Sequence, residues 1–350
     1  MRTDLDYLAQ ALQAAAPRRG FCAPNPAVGA VLVDASGTVV ATGTHMAAGR
    51  PHAEVAAIAA YPGTAYDALC LYITLEPCAH HGKTPPCVDA IIAAGIGRVV
   101  FAYRDPNPQV AGRGQRMLQA AGISCEQIPV PAIDLFYRSY AQWVATRRPW
   151  VTVKIAMTAD GYCATAAGEP LSITGEAANQ LTHQARAQAD AILTTAQTVL
   201  ADDPQLNARL PSGTVAKPVY VLDRACRLTA GRRLENTAAS LTCYYARAAH
   251  PPSAPLAARY QAIEASDNQL SLAAVLIDMG LAGVHDLWVE AGPRLLEALH
   301  AGGWINSLRI YRSPHALGEP GLPALPSVLD LSDAHWVRVG EDTLTELTFF

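Results

Sequence analysis

The sequence predicts an α/β protein of two domains, and three observations carry that prediction. At 350 residues the chain exceeds what one core organises, since single hydrophobic cores stop growing near about 250–300 residues. It is 51% hydrophobic and only 16% charged, with a mean hydropathy of +0.13, which suits large cores and excludes a disordered chain. Finally, short β-branched apolar runs alternate with segments of helical period, the pattern of a sheet layered with helices.

In the first domain Leu5, Leu8, Ala9 and Leu12 recur at helical spacing and stop before Pro17. AVGAVLVD (27–34) and TVVATG (38–43), joined through the turn formers at 34–37, read as a hairpin. HAEVAAIAA (52–60) then has helical character, LCLYITL (69–75) strand character, CVDAIIAAG (87–95) helical character closed by Gly95, and RVVFAY (98–103) strand character again. A second series starts after Arg147–Arg148–Pro149: strands at 150–157, 191–195, 218–223, 241–245, 286–290 and 307–313, with helices near 176–188 and 269–279. The proline-rich stretch 248–259 reads as a surface loop, because strand signals continue beyond it. The boundary falls near 145–150, which divides the chain into 1–146 and 147–350.

Composition narrows the partners. A net charge of −4 and a sequence pI near 6.2, with no basic cluster larger than Arg147–Arg148, argue against nucleic acid. Asp4 and Asp6 interrupt the opening where a signal peptide needs an apolar run, and no stretch approaches the 18 or so apolar residues of a membrane helix, so a cytoplasmic protein is expected. Eight cysteines in a chain of this length lack the density of a disulfide framework and read mostly as small buried hydrophobes.

Cys78 and Cys87 stand apart. With His52 they offer one imidazole and two thiolates, donors that zinc prefers. Three protein ligands leave a fourth position for water, whereas a structural zinc site closes with four. Glu54, two residues beyond His52, reaches that position as a proton carrier rather than a ligand, the H-x-E arrangement of zinc deaminases. A lone histidine would read as a core or surface residue and a lone cysteine pair as incidental. Glu54 at this spacing, and the placement of each segment at a strand-to-helix junction, decide for the metal. The cysteines are not spaced C-x-x-C: AHHGKTPP separates them, a loop carrying His80, His81 and Lys83, of which the two histidines read as solvated.

At these residues the chain resembles the bifunctional riboflavin-biosynthesis deaminase/reductase family, the RibD type. PNPAVG (24–29), GTHMAAGRPHAE (43–54), TLEPCAHHGKTPPC (74–87) and DPNPQVAGRG (105–114) carry the resemblance, and the long cysteine motif is its most specific part. The resemblance implies a cytidine-deaminase-like three-layer domain in which His52, Cys78 and Cys87 bind zinc, Glu54 shuttles protons, and Asn25, His45 and Lys83 contact substrate. Ala79 stands where the family usually has serine. DPNPQVAGRG itself reads as a structural loop beside that site, its prolines and glycines being turn formers.

The resemblance continues through KIAMTADG (154–161), GEPLSIT (168–174), RAQADAIL (186–193), TVLADDPQLNAR (198–209) and VEAGP (289–293). It implies a dihydrofolate-reductase-like domain using NADPH, with Ala156, Thr198, Asp202 and Gly292 facing the dinucleotide. Lys154, Arg186, Leu206, Arg209 and Glu290 face the substrate, the two arginines suiting its phosphate. Gly292–Pro293 between a strand and a helix has its own physical use, since glycine admits an anion and proline starts the helix whose free N–H groups bind it.

The implied chemistry is hydrolytic removal of the 2-amino group of 2,5-diamino-6-(ribosylamino)-4(3H)-pyrimidinone 5′-phosphate, then reduction of the ribosyl group to ribityl by NADPH. A homodimer or higher homo-oligomer is expected. Pro170, Leu171 and Ser172 replace the serine, glutamine-like residue and tryptophan usual before Ile-Thr, and Arg224 replaces the serine of V-x-D-S. These departures motivate one alternative, a deaminase whose second domain only binds or dimerises. A nucleic-acid base deaminase is disfavoured by the acidic balance, the scarce aromatics and the cysteine spacing.

Overall fold

The computed structural model describes residues 2–80, 85–108, 110–266 and 268–349. The chain divides into two compact units, Met1–Arg147 and Arg148–Phe350.

In the first unit, α1 (Asp4–Ala15) opens on a capping box in which Thr3 and Asp6 satisfy each other's amides, and it runs into a short 3-10 turn at Pro17. The hairpin β1 (Gly29–Val33) and β2 (Val39–Thr44) follows, with a register shift between Leu32 and Val33. Then come α2 (Ala53–Ala60), β3 (Cys70–Leu75), α3 (Cys87–Ala94), β4 (Arg98–Tyr103), α4 (Arg113–Ala120), β5 (Ser124–Gln127) and α5 (Pro131–Thr146). The sheet order is β2-β1-β3-β4-β5, antiparallel around β1 and parallel from β3 to β5.

Two glycines show how the layers form. A Cβ on Gly29 would lie 2.0 Å from the Ala11 carbonyl oxygen of α1, and one on Gly43 would lie 2.0 Å from the Ala53 oxygen of α2. Gly43 pairs with Ala30, whose side chain points away from the Gly29 face, so α1 and α2 cover opposite faces. Thr74 shares the Gly29 face, and Tyr137 of α5 bonds it at 2.6 Å, which puts α5 beside α1. The result is three layers, helix–sheet–helix. The helices α4 and α5 lie in segments to which the sequence reading assigned no element; Ile133, Tyr137 and Tyr140, at helical spacing, supply the buried stripe of α5.

The second unit runs β6 (Trp150–Met157), β7 (Tyr162–Thr165), α6 (Glu176–Gln188), β8 (Ala191–Thr195), α7 (Ala196–Asp202), β9 (Ala208–Leu210), β10 (Gly213–Val215), β11 (Pro218–Leu222), α8 (Leu234–Thr237) and β12 (Ser240–Ala246). It continues with β13 (Arg259–Ile263), β14 (Ala265–Ser266), β15 (Gln269–Leu270), α9 (Leu272–Leu281), β16 (Asp286–Glu290), α10 (Pro293–Ala301), β17 (Ser307–Arg312), β18 (Gly321–Pro323), β19 (Val337–Val339) and β20 (Asp342–Thr348). Nine strands form one sheet, β13-β12-β11-β8-β16-β6-β17-β20-β19. It is parallel from β13 to β17 and ends in two antiparallel strands. Val153, Ile155 and Met157 of β6 enter the core shared with α9 and α10, while Trp288 of β16 packs on the other face with Ala185 of α6 and Val199 of α7. Among the described residues no helix is long and apolar enough to cross a membrane, and none of the eight cysteines forms a disulfide.

Candidate active sites

In the first unit the site lies where β3 ends and two helices begin. His52 is the N-cap of α2, Cys78 follows β3, and Cys87 is the first residue of α3. Their donor atoms all lie within 4.8 Å of one another. His52 turns Nδ1 toward both sulfurs, 3.1 Å from Cys87 Sγ and 3.5 Å from Cys78 Sγ. Tetrahedral zinc, with bonds of about 2.0 Å to nitrogen and 2.3 Å to sulfur, needs N···S edges of about 3.5 Å. The donor set and its spacing therefore fit zinc.

Close packing couples the protons of the three donors. A hydrogen bond from Cys87 holds the Cys78 thiol down to about 4, and the Cys87 amide donates to Cys78 Sγ at 3.2 Å. The same sharing pushes Cys87 upward. His52 is raised, chiefly by its bond with Cys78. Glu54 is 3% exposed, and burial pushes its carboxyl up to about 7. A carboxyl near neutrality both takes and gives a proton, as acid–base work requires.

Beside His52, the buried His45 ring stands edge-on at 5.1 Å. Its Nδ1 faces the Pro51 carbonyl at 3.1 Å, which only accepts, so Nδ1 carries the proton and Nε2 accepts from Asn25 Nδ2 at 3.2 Å. Burial lowers the His45 pKa, in keeping with this neutral tautomer. The sequence thus brings Asn25, His45, His52 and Glu54 to one place. Lys83 and His81 lie outside the described residues.

Two positioning features escaped the sequence reading. Buried Glu76, just before Pro77–Cys78, accepts from the Gly112 amide at 2.9 Å, and its own amide donates to the Tyr103 carbonyl at 2.8 Å. A Cβ on Gly114 would lie 2.1 Å from the Pro77 oxygen, so the first turn of α4 packs directly on the ligand segment. Gly112 and Gly114 accordingly hold the segment that leads into Cys78. Asp105 in that loop is also buried, pushed up to about 6 by burial, and accepts from the Asn107 amide at 2.8 Å and from Tyr140.

In the second unit Lys154 of β6 pairs in register with Glu290 of β16, and Ala156 lies two residues on along the same face. Arg186 of α6 grips Glu290 with two bonds, Nε to Oε1 at 2.6 Å and Nη2 to Oε2 at 2.9 Å, while its Nη1 donates to the Asn207 carbonyl at 3.0 Å. Trp288 Nε1 donates to Glu290 Oε1 at 2.7 Å, a contact the sequence reading lacked. Burial alone would raise Glu290, but Arg186 and Lys154 outweigh it and hold the carboxyl at about 2. Burial lowers Lys154 against the pull of Glu290. The Arg186 fork is therefore engaged inside the protein, whereas Arg209 is exposed and braced by Gln205 and Asn207.

Thr198 lies in the first turn of α7, where its amide donates to the N-cap Thr195, and Asp202 ends that helix. Leu206 is buried with φ +46°, a left-handed conformation rare for leucine. Gly292 is the N-cap of α10 with Pro293 at its first position, and a Cβ built there meets nothing within 4 Å. That open cradle at a nine-residue helix fits the pyrophosphate of a dinucleotide. Pro170 bridges to Ala164, and its segment presents no aromatic ring.

Residues 149–345 match the RibD C-terminal domain and residues 1–103 the cytidine and deoxycytidylate deaminase zinc-binding region. The chain is 38% identical to riboflavin biosynthesis protein RibD of Escherichia coli, over 94% of this chain and 93% of that one. The chain belongs to the RibD family. The RibD protein of Aquifex aeolicus is 34% identical over 97% of this chain and 96% of its own. The solved RibD of Acinetobacter baumannii superposes with a TM-score of 0.87 at 30% identity, covering 99% of this chain and 98% of that one. A Thermotoga maritima structure described as a diaminohydroxyphosphoribosylaminopyrimidine deaminase/5-amino-6-(5-phosphoribosylamino)uracil reductase gives 0.85 at 29% identity, with the same coverage. This family member is a bifunctional enzyme of riboflavin biosynthesis, with a deaminase domain that takes zinc and a reductase domain that takes NADPH.

Proposed function

We propose that domain 1–146 hydrolyses the amino group of 2,5-diamino-6-(ribosylamino)-4(3H)-pyrimidinone 5′-phosphate, and that domain 147–350 then reduces the ribosyl group of the product to ribityl with NADPH. The observation that carries the reading is the convergence of His52 Nδ1 and the Cys78 and Cys87 sulfurs next to the buried Glu54 carboxyl. His52, Cys78 and Cys87 would hold zinc there, and the ion would supply the Lewis acidity that lowers the pKa of the attacking water. Glu54 carries the proton from that water to the departing ammonia. Asn25 and His45 orient the pyrimidine, with Lys83 assigned to the same substrate.

In the reductase, Gly292, Thr198, Asp202 and Ala156 line the dinucleotide, with the Gly292 turn at its pyrophosphate. Lys154 and Glu290 hold the sugar, and Arg186 keeps the Glu290 carboxylate ionised and aimed. Arg209 receives the phosphate, and Leu206 shapes the wall opposite. The same reading gives a homodimer or higher oligomer in the cytoplasm, where cysteines outside disulfides stay reduced.

The test supplies the diaminopyrimidine phosphate with and without NADPH and follows ammonia and NADPH absorbance separately. Ammonia should appear in both cases and NADPH should be consumed only after deamination. Ammonia without any NADPH oxidation would replace this reading with a deaminase whose second domain serves binding.

A further inference from the structure

Tyr137 of α5 is a buried phenol that the deamination chemistry leaves unused, and its hydroxyl completes a chain of three hydrogen bonds between β3 and the segment that carries Asn25. Pairing between β1 and β3 stops at Ala30 and Ile73, and just beyond it the Gly29 amide donates to Thr74 Oγ1 at 3.2 Å. That oxygen lies 2.6 Å from the Tyr137 hydroxyl, which lies 2.9 Å from the Ala27 carbonyl oxygen. A carbonyl only accepts, so Tyr137 spends its single proton on Ala27. Thr74 then donates to Tyr137 and keeps a lone pair for Gly29. Each proton has one destination, and both side chains are buried, where a hydroxyl left without its partner is costly.

The two ends of this relay are parts of the first site. Ala27 follows Asn25 by two residues, and the carbonyl of Val28 accepts from the His45 amide at 3.0 Å. The Asn25 amide donates to the Cys22 carbonyl at 2.9 Å, while Cys22 Sγ donates to the His45 carbonyl at 3.2 Å. Residues 22–28 and His45 thus form one frame that carries the Asn25–His45 pair. At the other end Thr74 lies four residues before Cys78, on the strand that leads into the ligand segment. Tyr137 itself is held from a third element, its ring stacked on Tyr103 of β4 at 5.2 Å.

We propose that Tyr137 is a positioning residue for the deamination: its relay through Thr74 fixes the Asn25–His45 frame against β3, and so sets where the pyrimidine sits relative to the metal ligands. The inference rests on the reading that Asn25 and His45 orient the pyrimidine. A contact displaced by about an ångström loses much of its use, so one hydroxyl remote from the chemistry is felt in substrate binding.

Tyr137→Phe keeps the ring and removes only the hydroxyl; Thr74→Val breaks the relay from β3, and Thr74→Ser preserves it. Ammonia release gives KM and kcat for each, beside zinc content, thermal melting and calorimetric binding of the diaminopyrimidine phosphate to the zinc-stripped chain. Tyr137→Phe and Thr74→Val should each raise KM about five- to tenfold, the scale of one net hydrogen bond, with kcat within about twofold and zinc unchanged. Binding to the zinc-stripped chain should weaken in parallel. The double variant should be no worse than either single one, because both break the same relay. Thr74→Ser should stay within about twofold of wild type, and the Thr74 pair decides the question even if Tyr137→Phe fails to fold. Wild-type KM in Thr74→Val, additive losses in the double variant, or a loss confined to kcat or zinc content overturns the positioning role. Asn25→Ala separates the two levels: it should raise KM at least as much, and an unchanged KM there sinks the substrate reading and the proposal with it.

Discussion

A single methyl group on β2 should disable the metal site without touching a ligand. In Gly43→Ala the new Cβ would lie 2.0 Å from the Ala53 oxygen, 2.3 Å from the Ala57 nitrogen and 2.9 Å from Ala57 Cα. All three are backbone atoms of α2, so no side chain can swing aside. Ordinary contact begins near 3.4 Å, so strand and helix must part by about 1.4 Å. His52 caps that helix and Glu54 is its second residue, whereas Cys78 and Cys87 ride on other elements. Ligand distances tolerate only about ±0.2 Å. The shift thus exceeds by several-fold what the site can absorb, beyond an overpacking cost of about 1–3 kcal/mol.

The control is Gly29→Ala, whose Cβ would meet the Ala11 oxygen of α1 at 2.0 Å on the opposite face. It should destabilise comparably yet leave zinc in place, because α1 carries no ligand. Zinc per folded chain after dialysis against a chelator, by mass spectrometry, together with ammonia release, separates the two. Gly43→Ala holding zinc and deaminating as well as Gly29→Ala would refute the reasoning.

Other consequences are as direct. Glu54→Gln should cut ammonia release by about 10²–10⁴-fold while zinc content stays unchanged, and a variant with wild-type turnover would remove Glu54 from the chemistry. Chelation should abolish deamination but spare NADPH oxidation with the already deaminated substrate; loss of both would show that the metal supports more than the first reaction. Arg186→Met strands the Glu290 carboxylate in the interior and should cost about 3–5 kcal/mol in urea unfolding, against a null effect if the pair were merely superficial. The Glu290 pKa of about 2 lies below an unfolded value near 4.3. Its ionised form therefore stabilises fully above that unfolded value, and the contribution disappears as pH falls toward 2. Melting curves of wild type and Glu290→Gln should converge across that window and stay apart at pH 7.

The metal donors were legible because the residue types themselves carry the chemistry: an imidazole, two thiols and a carboxyl at H-x-E spacing have few other uses. The hairpin, the helices at 53–60 and 87–94, and most parallel strands followed from periodicity. The helix α5 escaped although Ile133, Tyr137 and Tyr140 stand at helical spacing, because its aromatic residues intrinsically favour strands over helices. The antiparallel β20 escaped because it is partly exposed and short of β-branched apolar residues, and its place is decided by pairing with β17. Glu76, read as one more letter of a motif, proved to be the clamp that ties the ligand segment to α4.

What the sequence determined by itself was composition-level and local: two α/β domains, donor types, helix caps and turns, all governed by neighbours a few residues apart. Only tertiary structure decided which imidazole nitrogen faces the sulfurs, and that Arg186 spends its fork on a carboxylate 104 positions away. It likewise decided that Arg224 is exposed just beyond the end of β11. Such facts depend on burial and on strand order, and free energies of desolvation exist only once distant segments have excluded water from one another.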